Sequence, residues 1–271
     1  IHDESYESGK QFCRINFSKD LVPGYPGINT QTNATEISHI LQDEMDKIHR
    51  KYCENKQLDY NAGGTIVPHE LTVEIRSNDV PTLTIIDLPG IRESPEEMRV
   101  KTTSLVQEYL TNRDTLVLCV MQASLNSVNN SQSFGLVERN NKKDKTVVVL
   151  TKCDTVHARH GPRQRFIVDR VTGNDPELEG FFGVVAVVNR DTDLYGDEVL
   201  PSIDEASQFE IDWFKNNLKQ LNRNENATAF GVIQKIDSLY SDHILKHWTP
   251  SALAQMREKF VEPQGKLQLL G

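Results

Sequence analysis

Two short motifs, each closing an apolar run, hold residue types that nucleotide chemistry uses. The first is Asp87-Leu88-Pro89-Gly90, directly after Leu83-Thr84-Ile85-Ile86. At the carboxyl end of a strand in an open α/β sheet, Asp87 stands where such sheets bind ligands. A carboxylate there holds Mg²⁺, often through water, because Mg²⁺ keeps most of its hydration shell. Gly90 carries no Cβ, so its N–H can approach a terminal phosphate closely. Taken alone, the same four residues read equally well as a capped strand running into a Pro-Gly turn.

The second motif is Thr151-Lys152-Cys153-Asp154, about 60 residues further on, after Val147-Val148-Val149-Leu150. Guanine offers N1–H and N2–H₂ side by side, and one carboxylate accepts from both. Adenine has an acceptor where guanine has N1–H, so it would leave a carboxylate at 154 poorly paired, and sites built on such bonds reject the wrong ligand strongly. Lys152 can lay its methylene stem along the base with its charged head left polar. A third segment, Val188-Asn189-Arg190, follows the run 184–188 and is placed to back the base and ribose. Asn-Arg after a strand is also ordinary turn chemistry, so it supports the other two and does not stand alone.

Other residues carry less. Glu7-Ser8-Gly9-Lys10-Gln11 resembles the end of a phosphate-binding G-x-x-x-x-G-K-[ST] loop, but Glu4 replaces the first Gly, Gln11 replaces Ser or Thr, and no strand precedes it. It reads as a polar loop. His243 and His247 share a helix face, yet His243-Ile244-Leu245-Lys246-His247 lacks the Glu of a zinc-hydrolase helix, so packed or solvated imidazoles are expected. His157 and His160 sit in a polar stretch just past Asp154 and read as surface histidines, His157 within reach of a bound nucleoside.

Positioning these motifs requires a sheet. The runs 71–76, 82–87, 115–121, 146–151 and 184–188 predict strands, the last four apolar enough for burial on both faces. Helices are predicted over 37–52, 96–110, 131–139 and 163–171. The short link 77–81 makes 71–76 and 82–87 antiparallel neighbours. The alternation predicts an α/β fold, a mostly parallel sheet flanked by helices. After about residue 203 only helical periodicity remains, over 203–221, 228–247 and 251–260, with Pro250 separating the last two and Ser251 as N-cap.

Composition sets outer limits. The 271 residues carry a formal charge of −9, which argues against broad electrostatic binding to nucleic acid or anionic lipid. No run of about 18 apolar residues is present. Cys13, Cys53, Cys119 and Cys153 are scattered without a C-x-x-C pair, which predicts free thiols and a reducing, cytosolic setting.

The residues from Val80 to Ile91, the Val149-Leu150-Thr151-Lys152-Cys153-Asp154 segment and the Gly183 to Arg190 segment together resemble the dynamin superfamily of large GTPases. The likeness is specific over about 60–200 and looser through 209–214 and 228–250, which resemble the closing helix and the bundle signalling element. It implies a P-loop GTPase-like fold, incomplete at the N-terminus, over 1–222 and a helical extension with the start of a stalk over 223–271. It further implies GTP and Mg²⁺ as ligands, with Asp87 at the metal and Gly90 at the γ-phosphate as the catalytic contact. Thr151, Lys152, Asp154, Val188, Asn189 and Arg190 would hold the nucleoside. By the resemblance, the parent protein is a membrane-remodelling GTPase, cytoplasmic, self-assembling through GTPase domain and stalk, and peripheral to membranes through other regions. The chain lacks the family's phosphate-binding Lys and Ser/Thr, which predicts negligible hydrolysis by the chain alone. His157 stands where the family commonly has Asp. The competing expectation is a degenerate GTPase-like module for assembly, without catalysis.

Overall fold

The computed structural model describes residues 12–32, 37–60, 65–76, 83–92, 94–156, 161–189, 202–221 and 225–268. The chain divides into two compact units, Ile1–Leu105 and Val106–Gly271. The phosphate-loop look-alike at residues 7–11, His157, His160 and Arg190 lie outside the described residues. So do residues 222 and 223, where the step from GTPase domain to helical extension is expected.

The first unit is built on an antiparallel sheet of β1 (Phe12–Phe17), β2 (Ile28–Thr32) and β3 (Thr72–Arg76) in the order β2-β1-β3. β1 alternates, with Cys13, Ile15 and Phe17 buried between less buried Arg14 and Asn16, as a half-buried strand must. The turn between β1 and β2 uses Gly24 and Gly27 at φ near +79°. At Gly27 a Cβ would lie 2.8 Å from the Lys19 backbone nitrogen, so only glycine closes this turn without displacement. α1 (Ile37–Lys56) contributes Ile48 to a small core with Phe17, Val22 and Tyr25.

Two expectations change here. The described part of the run 82–87 forms no strand beside β3: residues 83–90 carry no regular structure, and Ile85 and Ile86 are 75% and 53% exposed. β3 pairs instead with β1, Ile15 opposite Val73. Apolar composition makes a strand only when its N–H and C=O groups find a neighbour, and among the described residues this run has none. Conversely, β1 and β2 went unpredicted, β1 because its period-2 signal is only six residues long and β2 because Asn29-Thr30-Gln31-Thr32 is polar.

α2 (Glu96–Thr111) spans the division between the units. The second unit holds a parallel sheet, β4 (Val117–Gln122), β5 (Thr146–Thr151) and β6 (Gly183–Ala186), in the order β4-β5-β6. Its helices are α3 (Gln132–Arg139), α4 (Gly161–Val171), α5 (Ile203–Asn217) and α6 (Thr228–His243). Val148, Leu150, Val184 and Ala186 face one core with Phe134 of α3, Ile167 of α4 and Phe214 of α5. Val147, Val149 and Val185 face the other, with Leu239 of α6. This is the expected parallel sheet with helices on both faces. β4 departs from the expectation of double burial: Cys119 and Met121 are buried, while Leu118 and Val120 are 43% and 55% exposed.

Local signals explain the helix ends. Ser131 caps α3 by accepting the Phe134 N–H at 3.4 Å. Ser202 and Glu205 form a reciprocal capping box at α5, N–H to side chain at 3.2 and 2.8 Å. Pro250 does not break the helical tail as expected, and Ser251 is not an N-cap. α6 continues through a π-helical turn, Ile244–Trp248, into α7 (Thr249–Gln268). Proline removes one N–H and crowds the preceding turn. The wider turn, with Thr249 N–H bonded to Ile244 O, takes up that misfit one residue before Pro250. No helix among the described residues is long and apolar enough to cross a membrane.

Candidate functional site

The carboxyl ends of β5 and β6 bring two of the three motifs together. Thr151 closes β5, and its hydroxyl donates to Met121 O of β4 at 3.2 Å. Lys152 then takes φ 55°, ψ 38°, a left-handed conformation that costs a residue with a Cβ about 1 kcal/mol or more. This residue turns the chain off the strand into a single 3₁₀ turn, Cys153–Thr155. Thr155 donates its hydroxyl back to Lys152 O at 2.8 Å and tightens the turn. Lys152 is exposed and Asp154 half-buried, while Cys153 between them points into the core at 0% exposure. The middle residue anchors the turn, and its neighbours are available.

β6 supplies the opposing wall. Val187 N–H donates to Leu150 O at 2.8 Å, and Cys153 N–H donates to Val187 O at 3.4 Å. The segment 187–189 is thereby tied to the 151–154 turn, with Val188 buried and Asn189 exposed. Chemically this juxtaposition presents a carboxylate, an ammonium on an aliphatic stem and a carboxamide at one end of the sheet. That is a set suited to a planar ligand edge with paired donors.

Asp87 and Gly90 belong to the first unit and are exposed. Among the described residues other than its chain neighbours, no atom lies within 4 Å of where a Cβ on Gly90 would stand. Both remain available to solvent-borne groups. No cluster of three or more His, Cys, Asp or Glu side chains suited to a metal ion occurs among the described residues. A single accessible carboxylate nevertheless fits Mg²⁺, which takes one or two carboxylates and draws its other ligands from phosphate and water.

Two features, Glu210 and Arg170, escaped the sequence reading. Glu210 of α5 is 4% exposed, and its carboxylate accepts the Val188 N–H and the Ala229 N–H, each at 2.8 Å. Burial pushes this carboxyl above the usual range, and the two backbone donors pull it back down. Its signal was a charge in line with Phe214 and Leu218, at i+4 and i+8 on one helical stripe. Arg170 of α4 is 1% exposed and holds the loop after β4, donating to Asn126 O at 3.2 Å, Ala123 O at 3.4 Å and Asp175 at 3.1 Å. No local signal marks it. The imidazoles of His243 and His247 are 5.6 Å apart, and His243 is buried with its Nε2 3.6 Å from Asp114.

Two clefts lie away from the motifs. One of about 560 Å³ is lined by Tyr25, Glu44, Lys47, Arg50, Lys51 and Glu54. Its ammonium groups are paired, Lys47 to Glu44 at 2.7 Å and Lys51 to Glu54 at 2.9 Å. The other, about 370 Å³, lies beside His243, His247, Phe181 and Phe182. Neither contains a residue of the three motifs.

Residues 7–153 match the family described as the Dynamin family. The Interferon-induced GTP-binding protein Mx1 of Canis lupus familiaris is 29% identical over 226 residues, 80% of this chain and 33% of that protein. The Interferon-induced GTP-binding protein Mx of Dicentrarchus labrax is 26% identical over 239 residues, 85% of this chain and 35% of that protein. Mx1 of Bos taurus reaches 33% identity over 99 residues, 34% of this chain and 15% of that protein. The chain thus spans about a third of the first two relatives.

Proposed function

This chain belongs to the dynamin family, and on that premise we propose that it is the guanine-reading core of a GTP-hydrolysing enzyme of the dynamin type. The observation that carries the reading is the tie between residues 151–154 and 187–189 at the carboxyl ends of adjacent parallel strands. In this reading Asp154 accepts both donors of the guanine edge, and Lys152 covers the base with its stem. Thr151 shapes the turn, and Val188, Asn189 and Arg190 back the base and ribose. Asp87 holds Mg²⁺, which neutralises phosphate charge when bound, and the Gly90 N–H meets the γ-phosphate.

Phosphoryl transfer to water forms one O–P bond, breaks the bond from the γ-phosphorus to the bridging oxygen, and releases GDP and phosphate. Its catalysis is positioning and electrostatic stabilisation. Among the chain's own residues, those at 151–154 and 188–190 fix where the nucleotide lies, and Gly90 contacts the group transferred. The sequence contains no G-x-x-x-x-G-K-[ST] loop, so the isolated chain is proposed to bind GTP weakly and hydrolyse it negligibly. Self-assembly, membrane remodelling and cytoplasmic residence with peripheral membrane association are proposals resting on the family alone. The relatives' name, GTP-binding protein, supports the nucleotide.

A second reading, a non-catalytic assembly module, draws on the openness of Asp87 and Gly90. Fluorescent GTP and ATP titrations of the full-length protein, with phosphate release measured in parallel, separate the two. The expected result is GTP preference that Asp154→Ala reduces by about 100-fold or more, since buried polar groups left unpaired reject a ligand by such factors. Equal binding of GTP and ATP refutes the guanine assignment, and GTP binding without phosphate release favours the second reading.

A further inference from the structure

One carboxylate joins the proposed base-reading loop to the helix that leaves the sheet. Glu210 lies on the buried stripe of α5, with Phe214 and Leu218, where a charge is costly unless both oxygens are paired. Both are paired. Oε1 takes the N–H of Val188, the residue before Asn189, and Oε2 takes the N–H of Ala229 in the first turn of α6. β6 ends at Ala186, so Val188 lies beyond the strand, and the first amides of a helix have no acceptor within the helix. The helix dipole adds to the attraction between the α6 start and the carboxylate.

The start of α6 is itself seated on β6. Ala186 N–H donates to Asn226 O at 3.0 Å, and Ala186 forms a parallel bridge with Ala227. A Cβ on Gly231 would stand 2.5 Å from Glu225 O and 3.3 Å from Val185, so the helix approaches as closely as a glycine allows. Thr228 holds φ +75°, a left-handed conformation that β-branched residues rarely take and that persists only where the surroundings enforce it. The carboxylate therefore bridges Val188, one residue past the last backbone bonds to β5 and its turn at Val187, to a helix start with a fixed seat.

We propose that Glu210 is a positioning residue for guanine nucleotide binding: it holds the backbone at Val188, and with it Asn189, in register with the 151–154 turn, and takes that register from the first turn of α6. This rests on the reading of residues 151–154 and 187–189 as a guanine site. Glu210→Gln keeps the side chain's shape but turns an N–H₂ donor toward an N–H. Glu210→Asp keeps the charge and withdraws both oxygens by one methylene. The two variants fail in different ways, and either alone can decide the outcome if the other does not fold.

The test uses the full-length protein that carries this chain, with fluorescent GDP titration and site-resolved amide hydrogen exchange with and without GDP. In both variants, exchange is expected to accelerate at Val188 and Ala229 together while β5 amides keep their protection. GDP affinity is expected to fall by about tenfold or more, the scale of a lost hydrogen bond to a charged group. GDP is further expected to slow exchange at Ala229 in the unsubstituted protein and not in Glu210→Gln. A variant that binds GDP as tightly as the unsubstituted protein overturns the proposal while the guanine reading stands. Uniformly faster exchange across β4, β5 and β6 also overturns it, because the role is then general stability. No guanine nucleotide binding by the unsubstituted protein removes the underlying reading and the proposal together.

Discussion

The segments ending in Asp87 and Asp154 look alike as strings of residues, an apolar run followed by a polar turn, and their surroundings are opposite. Around the second, Val147, Val148 and Leu150 are fully buried, and the chain beyond is tied by Val187, Thr155 and Met121. Around the first, Leu83, Ile85 and Ile86 are 44%, 75% and 53% exposed, and no strand pairing holds the run among the described residues. The difference teaches that an apolar run supplies the material for a strand, while its neighbours decide whether one forms. The turn built on β5 inherits the rigidity of a sheet covered on both faces. Among the described residues the segment 87–90 has no strand partner of this kind.

Substitutions that remove burial measure this contrast most directly. Leu150→Ala in β5 is expected to cost about 3–4 kcal/mol, because a fully buried leucine leaves a cavity that the sheet cannot close. Denaturant unfolding followed by a probe in the second unit measures it, and a cost under 1 kcal/mol would mean that this core is loosely packed. Gly231→Ala is expected to lose about 1–3 kcal/mol through overpacking, since its Cβ would meet a backbone oxygen rather than a flexible side chain. An unchanged midpoint would show that α6 shifts on β6 freely.

A smaller effect is expected from pH. Burial, with the Lys145 ammonium nearby, holds the His243 imidazole below its ordinary value of 6.5. The unfolded chain then takes up this proton before the folded one, so the second unit should lose stability as pH falls from 6.5 toward the lowered folded value. Thermal melts at graded pH check the sign, and His243→Gln should flatten the slope over that window. The smallest effect is expected at Ile85→Ala, within about 0.5 kcal/mol, as for exposed positions away from packing. A cost of several kcal/mol in the full-length protein would break the comparison, because it would mean that the run is buried there by a partner segment.

Much of the second unit was legible from periodicity. The β5 run and the helices at 132–139, 161–171 and 203–217 follow from periodic patterns, and Ser131 and Ser202 cap the first and last of these helices. The motifs stood out in the sequence through their combination, since Thr151-Lys152-Cys153-Asp154 becomes specific only with Asp87-Leu88-Pro89-Gly90 about 60 residues before it. The strand at 82–87, the second buried face of β4 and the break at Pro250 were misread for one reason. Each depends on what lies beside the residue in space, a pairing edge, a covering helix or a π turn, and none of these has a local pattern.

The sequence by itself determined the chemistry on offer: a carboxylate and lysine two residues apart after a β-branched run, and an Asp-x-Pro-Gly turn after another. Those are properties of side chains and of short-range order. Only the tertiary structure decided that residues 151–154 and 187–189 share hydrogen bonds, that Lys152 adopts a left-handed turn, and that Glu210 lies buried between Val188 and Ala229. Burial of a charge and the sharing of its oxygens depend on contacts between residues 19 and 22 positions apart, which no local spacing encodes.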